Sequence, residues 1–321
     1  MATATTTTVS NTSGLAEDFE NIIFDVSPTD TPMLTMAKRT KATARYHQWQ
    51  VDSLAAASSN KAEEGADASY ATAAPTTTLG NYCQISTKTV DISRTLDIVN
   101  KYGRKSEVAM QLMKRGKELK RDMEFTICRN QPSASTTARS TAGWETMIPT
   151  GKNLVAANSG QTADYTVRGF SAASWIAPGE DGSLVTFVEA DLTSGLGLAW
   201  EDGGDPSVIM MSKLNKNRFN AFSGIATKYN EVKGTAQAIV AGAADIYVSS
   251  FGNHTVKLNR YMRNEVVFCI DPEYISVAYL DGIKKTPMAK TGDSERHLLT
   301  VEYALVCNSQ DAHATVGGVG L

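Results

Sequence analysis

The sequence has few aromatic residues, few histidines and no long apolar run. Phe, Trp and Tyr make up 7% of the 321 residues, and there are only four histidines and four cysteines. No stretch approaches the roughly 20 consecutive apolar residues that a transmembrane helix requires. The N-terminus lacks the basic and apolar regions of a signal peptide, so we expect a protein that stays in the cytoplasm, with no membrane partner.

The sequence also lacks a large excess of charge of either sign. The 31 Lys and Arg residues nearly balance the 34 Asp and Glu residues, which gives a net charge of -3. Without a global basic field, the composition does not suggest a dedicated DNA-binding protein. A hydrophobic fraction of 42% with 20% charged residues is typical of a folded chain, and the length allows one large or two modest domains.

Motifs that carry chemistry are absent as well. The sequence contains no phosphate-binding loop, no GxSxG elbow, and no histidine pair at metal-binding spacing. The cysteines form no CxxC pair, which favours buried free thiols over disulfides or a metal site. They are Cys83, Cys128, Cys269 and Cys307. We therefore predict no catalytic residue, no metal and no cofactor, although a triad assembled from distant segments would escape such a search.

Small residues are abundant, and they concentrate in two segments. Residues 1–40 consist of a Thr-rich start, an amphipathic piece over Leu15–Val26 and a short helical turn from Met33. Further on, residues 45–54 and 82–92 are predicted to pair as strands around a long polar tip, whose charged residues are Lys61, Glu63, Glu64 and Asp67. A two-stranded ribbon of this kind buries little surface by itself, so we expect it to pack on a neighbouring chain.

The clearest helix signal covers residues 103–129, where an apolar stripe recurs at helical spacing after a possible cap at Thr95 or Ser106. From Arg104 to Arg129, eight basic residues face four acidic ones, a surplus of +4. The basic residues of interest are Arg104, Lys105, Lys114, Arg115, Lys117 and Arg121. They form either an ordinary solvated helix face or a face turned towards an anionic partner.

The remainder alternates short helices and strands. Residues 133–183 are rich in turn-forming residues, residues 187–201 predict a helix, and residues 208–211 predict a strand that leads into a helix from Ser212 to about Phe222. Strands are predicted at 245–250, 254–258, 266–270, 274–280 and 299–307, with Asp281-Gly282 as a tight hairpin turn and a short final strand within 312–321. The fold class is mixed α+β.

This order of elements resembles the major capsid proteins of tailed bacteriophages, which have the Hong Kong 97-like fold. Local segments are similar too: Glu17–Ile23 followed by Ser27–Leu34, Leu258–Met262, Asp271–Tyr274, and Glu295–Val306. The resemblance implies an N-terminal arm over 1–40, an extended loop over 41–93, and a peripheral domain over 94–185 and 280–321. That domain would contain the spine helix 103–129, and 186–279 would be the axial domain.

The resemblance also implies a function and partners. Such a protein assembles with itself, as hexamers and pentamers, into the icosahedral head shell around double-stranded DNA. A separate scaffolding protein, a portal and a decoration protein are further implied partners, and assembly is expected in the host cytoplasm before the chain becomes part of the virion capsid. The spine helix would face the genome. The alternatives are another phage component, such as a tail tube or head decoration protein, and an α/β enzyme that uses residues 186–279.

Overall fold

The computed structural model describes residues 27–65, 67, 70, 75–155, 169–170, 175–176, 184–222, 246–290 and 292–320. The predicted amphipathic piece at Leu15–Val26 and most of residues 156–183 lie outside these ranges. Within the described chain, no helix is long and apolar enough to cross a membrane.

The N-terminal half holds the longest helix and the ribbon. Its elements are α1 (Pro32–Met36), β1 (Lys38–Lys41), β2 (Tyr46–Val51), β3 (Thr77–Tyr82), β4 (Gln84–Ser93), α2 (Arg94–Ile98), α3 (Glu107–Ile127), α4 (Trp144–Met147), β5 (Asn153–Val155), β6 (Gly169–Phe170) and β7 (Trp175–Ile176). The Ser106 hydroxyl caps α3 by accepting from the Ala109 amide. At 21 residues, α3 is about 31 Å long.

The C-terminal half supplies the central strands of both large sheets. Its elements are α5 (Glu189–Glu201), β8 (Val208–Met211), α6 (Lys213–Phe219), β9 (Ile246–Ser249), β10 (Gly252–Leu258), β11 (Val266–Ile270), β12 (Ile275–Pro287), β13 (Ser294–Cys307) and β14 (Ala314–Gly317). The mixed α+β class is therefore confirmed.

The first large sheet carries the long helix. Its strand order is β1-β12-β13-β4, and α3 packs across it through Leu119, Met123 and Ile127. These side chains share one buried cluster with Val301 and Tyr303 of β13. At the edge of the contact, Lys88 of β4 forms an ion pair with Asp122 of α3 at 2.7 Å. The apolar stripe therefore seats the helix on the sheet.

The second large sheet has three strands that are buried along their whole length, β8, β11 and β14. Its strand order is β5-β14-β11-β8-β10-β9, and alternate residues of β11 enter two different cores. Val267 and Cys269 pack in a cluster with Leu196 of α5 and Phe219 of α6, whereas Phe268 and Ile270 belong to the cluster that holds α3. Strand β11 therefore joins the two layers.

Two predicted pairings are wrong. The predicted partner of residues 45–54 is 82–92, but β2 pairs with β3, which ends at Tyr82. Residues 84–93 form β4, which pairs antiparallel with β13 instead. Asp281-Gly282 forms no hairpin turn, because β12 continues through it to Pro287 with register shifts on both sides of Asp281. Strand pairing depends on distant segments, which local alternation does not identify. The division into arm, loop and two domains stays a prediction, and β12 runs unbroken across its boundary at 279/280.

Candidate functional site

The ribbon of the extended loop has a firmly packed base. Strands β2 and β3 pair from Tyr46 with Tyr82 to Val51 with Thr77, and the rings of Tyr46 and Tyr82 lie 4.5 Å apart. The Trp175 indole donates a hydrogen bond to the Gly80 carbonyl at 3.0 Å. A side chain at Gly80 would collide with the Tyr46 ring, since its Cβ would lie 2.6 Å from that ring. The base is therefore fixed by aromatic contacts and a close approach of the backbone.

Beyond this base, every described residue from Asp52 to Gly65 is exposed and none lies in a strand. Leu54 and Tyr70 are 98% exposed. The four predicted contact residues also lie in this exposed part, and none forms an ion pair with another described residue; they are Lys61, Glu63, Glu64 and Asp67. Leu54 and Tyr70 are the most exposed of the large apolar side chains among the described residues, and they lie on a segment that forms no strand there.

A buried carboxylate joins the arm to the long helix. Glu124 of α3 accepts hydrogen bonds from the amides of Met33 and Leu34, both at 2.8 Å, and from the Asn259 side chain at 2.7 Å. Burial raises the pKa of Glu124, while these three donors act against the increase. The carboxylate replaces water at two free amides of the short helix α1.

The charge pattern of the helix places Glu124 only among its four acidic residues and does not predict this role. One signal was present: Glu124 lies between Met123 and Ile127, which both belong to the apolar stripe. A charged residue at such a position is buried and needs partners.

The basic residues of the long helix do not form one group. Arg104 and Arg115 pair with acidic residues three positions along the chain, Glu107 and Glu118. Lys105, Lys114 and Lys117 are exposed, Arg121 is half-buried, and none of these four has an ion pair within the described ranges. Lys120, on the same helix, is also exposed and unpaired there. The helix thus offers unpaired cations between positions 105 and 121, fewer than the sequence count of eight.

Two other buried polar residues, Asn81 and His313, are held by hydrogen bonds within the subunit. Asn81 donates to the Thr141 hydroxyl and the Leu305 carbonyl and accepts from the Ala142 amide, at 2.8 to 2.9 Å. His313 accepts from the Asp271 amide at 3.0 Å. All four cysteines are buried free thiols, which confirms that prediction. Over the described residues, no group of three or more His, Cys, Asp or Glu side chains could hold a metal ion.

The family model described as "SU10 major capsid protein" matches residues 2–320 of the chain. The chain belongs to the SU10 major capsid protein family. A curated relative, the major capsid protein of Escherichia phage Phieco32, is 38% identical over 114 residues. That alignment covers 35% of this chain and 32% of the relative, so the chain spans about a third of this relative's length.

Solved structures share the fold at low sequence identity. A capsid protein of cyanophage A-1(L) is 12% identical with a TM-score of 0.67, and the alignment covers 98% of each chain. The capsid of a native GTA particle follows, at 11% identity and a TM-score of 0.65, over 97% of this chain and 98% of that one. The SrpI encapsulin complex of Synechococcus elongatus gives a TM-score of 0.56 at 9% identity, over 95% and 93% of the two chains.

These comparisons confirm the family and the Hong Kong 97-like fold that the sequence resemblance implied. The family is one of major capsid proteins, which favours a phage head protein over a tail tube or a decoration protein.

Proposed function

We propose that this capsid protein assembles as hexamers and pentamers into an icosahedral head shell that encloses double-stranded DNA, and that it has no enzymatic role. The observation that carries the proposal is the extended loop, which has a packed base and a tip with Leu54 and Tyr70 fully exposed. Heterologous contacts repeated between identical copies close into rings when the rotation between copies closes, and each such contact needs a surface that the subunit leaves exposed. The loop supplies such a surface.

The exposed cations of α3 support a genome-facing role for this helix. Lys114 and Lys117 on the helix, and Lys105 just before it, are exposed and can meet phosphates, and such contacts need no base recognition. Arg104 and Arg115 are already paired with acidic residues, so we expect them to contribute less to contacts with DNA phosphates. Assembly in the host cytoplasm with a separate scaffolding protein, a portal and a decoration protein completes the proposal.

A shortened loop tests the assembly role. Val51 and Thr77 are paired at the end of the ribbon, so residues 53–75 can be replaced by Asn-Gly, a sequence that favours a tight hairpin turn. We expect a folded subunit with unchanged helix content that forms no shells in negative-stain electron microscopy. Loss of the fold would show that the loop belongs to the subunit core, and normal shells would remove the loop from the assembly contacts.

A finer variant keeps the loop at full length. Replacing Leu54 and Tyr70 by serine removes the exposed apolar surface, and Ala56→Ser is the matched control because it alters an exposed loop residue without removing a large side chain. We expect the double variant to assemble at a higher threshold concentration than the control. Equal thresholds would show that these two side chains are not contact residues.

A further inference from the structure

Two separate grooves lie along the contact between the arm and the long helix. One of them, which we call the cationic groove, has a volume of about 160 Å³ and is lined by residues 27–29, Lys114, Lys117, Glu118 and Arg121. The other groove contains Lys120 together with residues of α1, β1 and β12. Lys105 lines neither groove. The unpaired cations of the helix are therefore divided among distinct surfaces, and three of them meet in the cationic groove.

The three cations of this groove share one side of the helix. Lys114, Lys117 and Arg121 are separated by three and four residues, so they fall within about 60° of the helix circumference. None of them has an ion pair within the described ranges. The acidic residue of the lining, Glu118, is already paired with Arg115 at 2.6 Å. Like charges at this spacing repel each other, so an anion bound between them would relieve the repulsion.

The arm forms another wall of the cationic groove, and hydrogen bonds hold it there. The Tyr261 hydroxyl donates to the Pro28 carbonyl at 3.3 Å, and the Glu124 carboxylate accepts from the Met33 amide at 2.8 Å. Thr29 is exposed, lines the groove and makes no hydrogen bond within the described residues. Its hydroxyl is therefore available beside the three cations. The volume equals that of about five water molecules at roughly 30 Å³ each, which is space for a phosphate group.

We propose that the cationic groove binds a phosphate group, with Lys114, Lys117 and Arg121 as its charged partners and Thr29 as a hydroxyl donor. Arginine presents its donors in a planar fork that matches phosphate oxygens, and lysine adds a point charge. The proposal deepens the genome-facing role and rests on it only for the source of the phosphate, which is the DNA backbone. It narrows that role to one groove, so Lys105, which does not line it, should contribute less.

Lysine acetylation followed by mass spectrometry tests the site on the full chain at low protein concentration. Two probes are used separately: inorganic phosphate, compared with chloride at equal ionic strength, and a 20-base-pair DNA duplex at low salt. Bound phosphate covers the lysine amines, so we expect each probe, at saturation, to slow the acetylation of Lys114 and Lys117 at least about threefold. The reference residues are Lys105 and Lys285, which are exposed outside the groove.

Variants that keep both lysines show whether the groove acts as one site. Arg121→Gln should remove most of the protection of Lys114 and Lys117, because it takes away the guanidinium fork. Thr29→Val removes only the hydroxyl donor at nearly constant volume and should cause a smaller loss. Arg45→Gln is the matched control, since Arg45 is exposed, has no ion pair within the described chain and does not line the groove. It should leave the protection unchanged.

The two probes separate the site from its proposed role. If inorganic phosphate does not protect Lys114 and Lys117, or protects them equally in the Arg121→Gln variant, the cationic groove is not a phosphate site and the proposal is overturned. If phosphate protects them but the duplex does not, the site is supported and the genome-facing role is refuted. Protection by the duplex that is equal at Lys285 would likewise refute that role, because it would show only a diffuse attraction to DNA.

Discussion

Glu124 provides the sharpest stability prediction. Replacing it by leucine keeps a side chain of similar bulk but removes both carboxylate oxygens. The Met33 amide then stays buried without this partner, and the Leu34 amide stays partly buried without it. The Asn259 side-chain amide keeps only two weak acceptors, the sulfur atoms of Cys128 and Met210, each at 3.3 Å. Each unsatisfied buried donor costs about 1–3 kcal/mol. The leucine variant no longer buries a carboxylate, and avoiding that desolvation penalty offsets part of the cost of the unsatisfied donors. We expect a net loss of about 2–3 kcal/mol.

Hydrogen exchange measures this loss at the atoms concerned. A change of 2–3 kcal/mol corresponds to roughly 30- to 150-fold faster exchange of the Met33 and Leu34 amides, because their opening no longer breaks bonds to the carboxylate. Glu124→Gln keeps one acceptor oxygen and should lose less. Asp122→Asn is the control on the same helix, since Asp122 is half-exposed and its pair with Lys88 is worth no more than about 1 kcal/mol. Native-like exchange in Glu124→Leu would refute the role assigned to this carboxylate.

Three other predictions concern buried positions. Burial lowers the pKa of His313 to about 3, below the unfolded value of 6.5. The free energy of unfolding should therefore fall as the pH drops below about 6.5, by about 2 kcal/mol at pH 5. In urea unfolding, the His313→Asn variant should show a flatter pH dependence. Gly143→Ala places a Cβ 1.8 Å from the Arg129 carbonyl oxygen and should lower the melting temperature strongly, whereas Gly151→Ala meets no atom within 4 Å and should not. Asn81→Ala removes three buried hydrogen bonds and should cost about 2–4 kcal/mol in urea unfolding; a loss below about 1 kcal/mol would contradict this reading.

Local patterns predicted the elements better than their partners. The stripe that includes Leu119, Met123 and Ile127 identified the long helix, with ends a few residues beyond the observed Glu107 and Ile127. The alternation over 299–307 likewise identified the core of β13. Both signals are local, because side chains repeat with the period of the element itself.

Partners and buried polar contacts depend on residues far apart in the chain. Strand β4 was assigned to β2, yet it pairs with β13, which lies about 200 residues further along. Glu124 binds the arm 91 residues before it and Asn259, which lies 135 residues after it. No pattern within one segment records such contacts. The exposed loop tip was easier to predict, since a long run of small and polar residues has nothing with which to bury itself.

The environment of the loop tip in the assembled particle is the most direct test of the account. A cryo-electron microscopy reconstruction of the particle should show an icosahedral shell in which Leu54 and Tyr70, 98% exposed in the single subunit, are buried against a neighbouring copy. A shell in which both side chains still face solvent, or a chain that forms only small oligomers under all conditions, would contradict it.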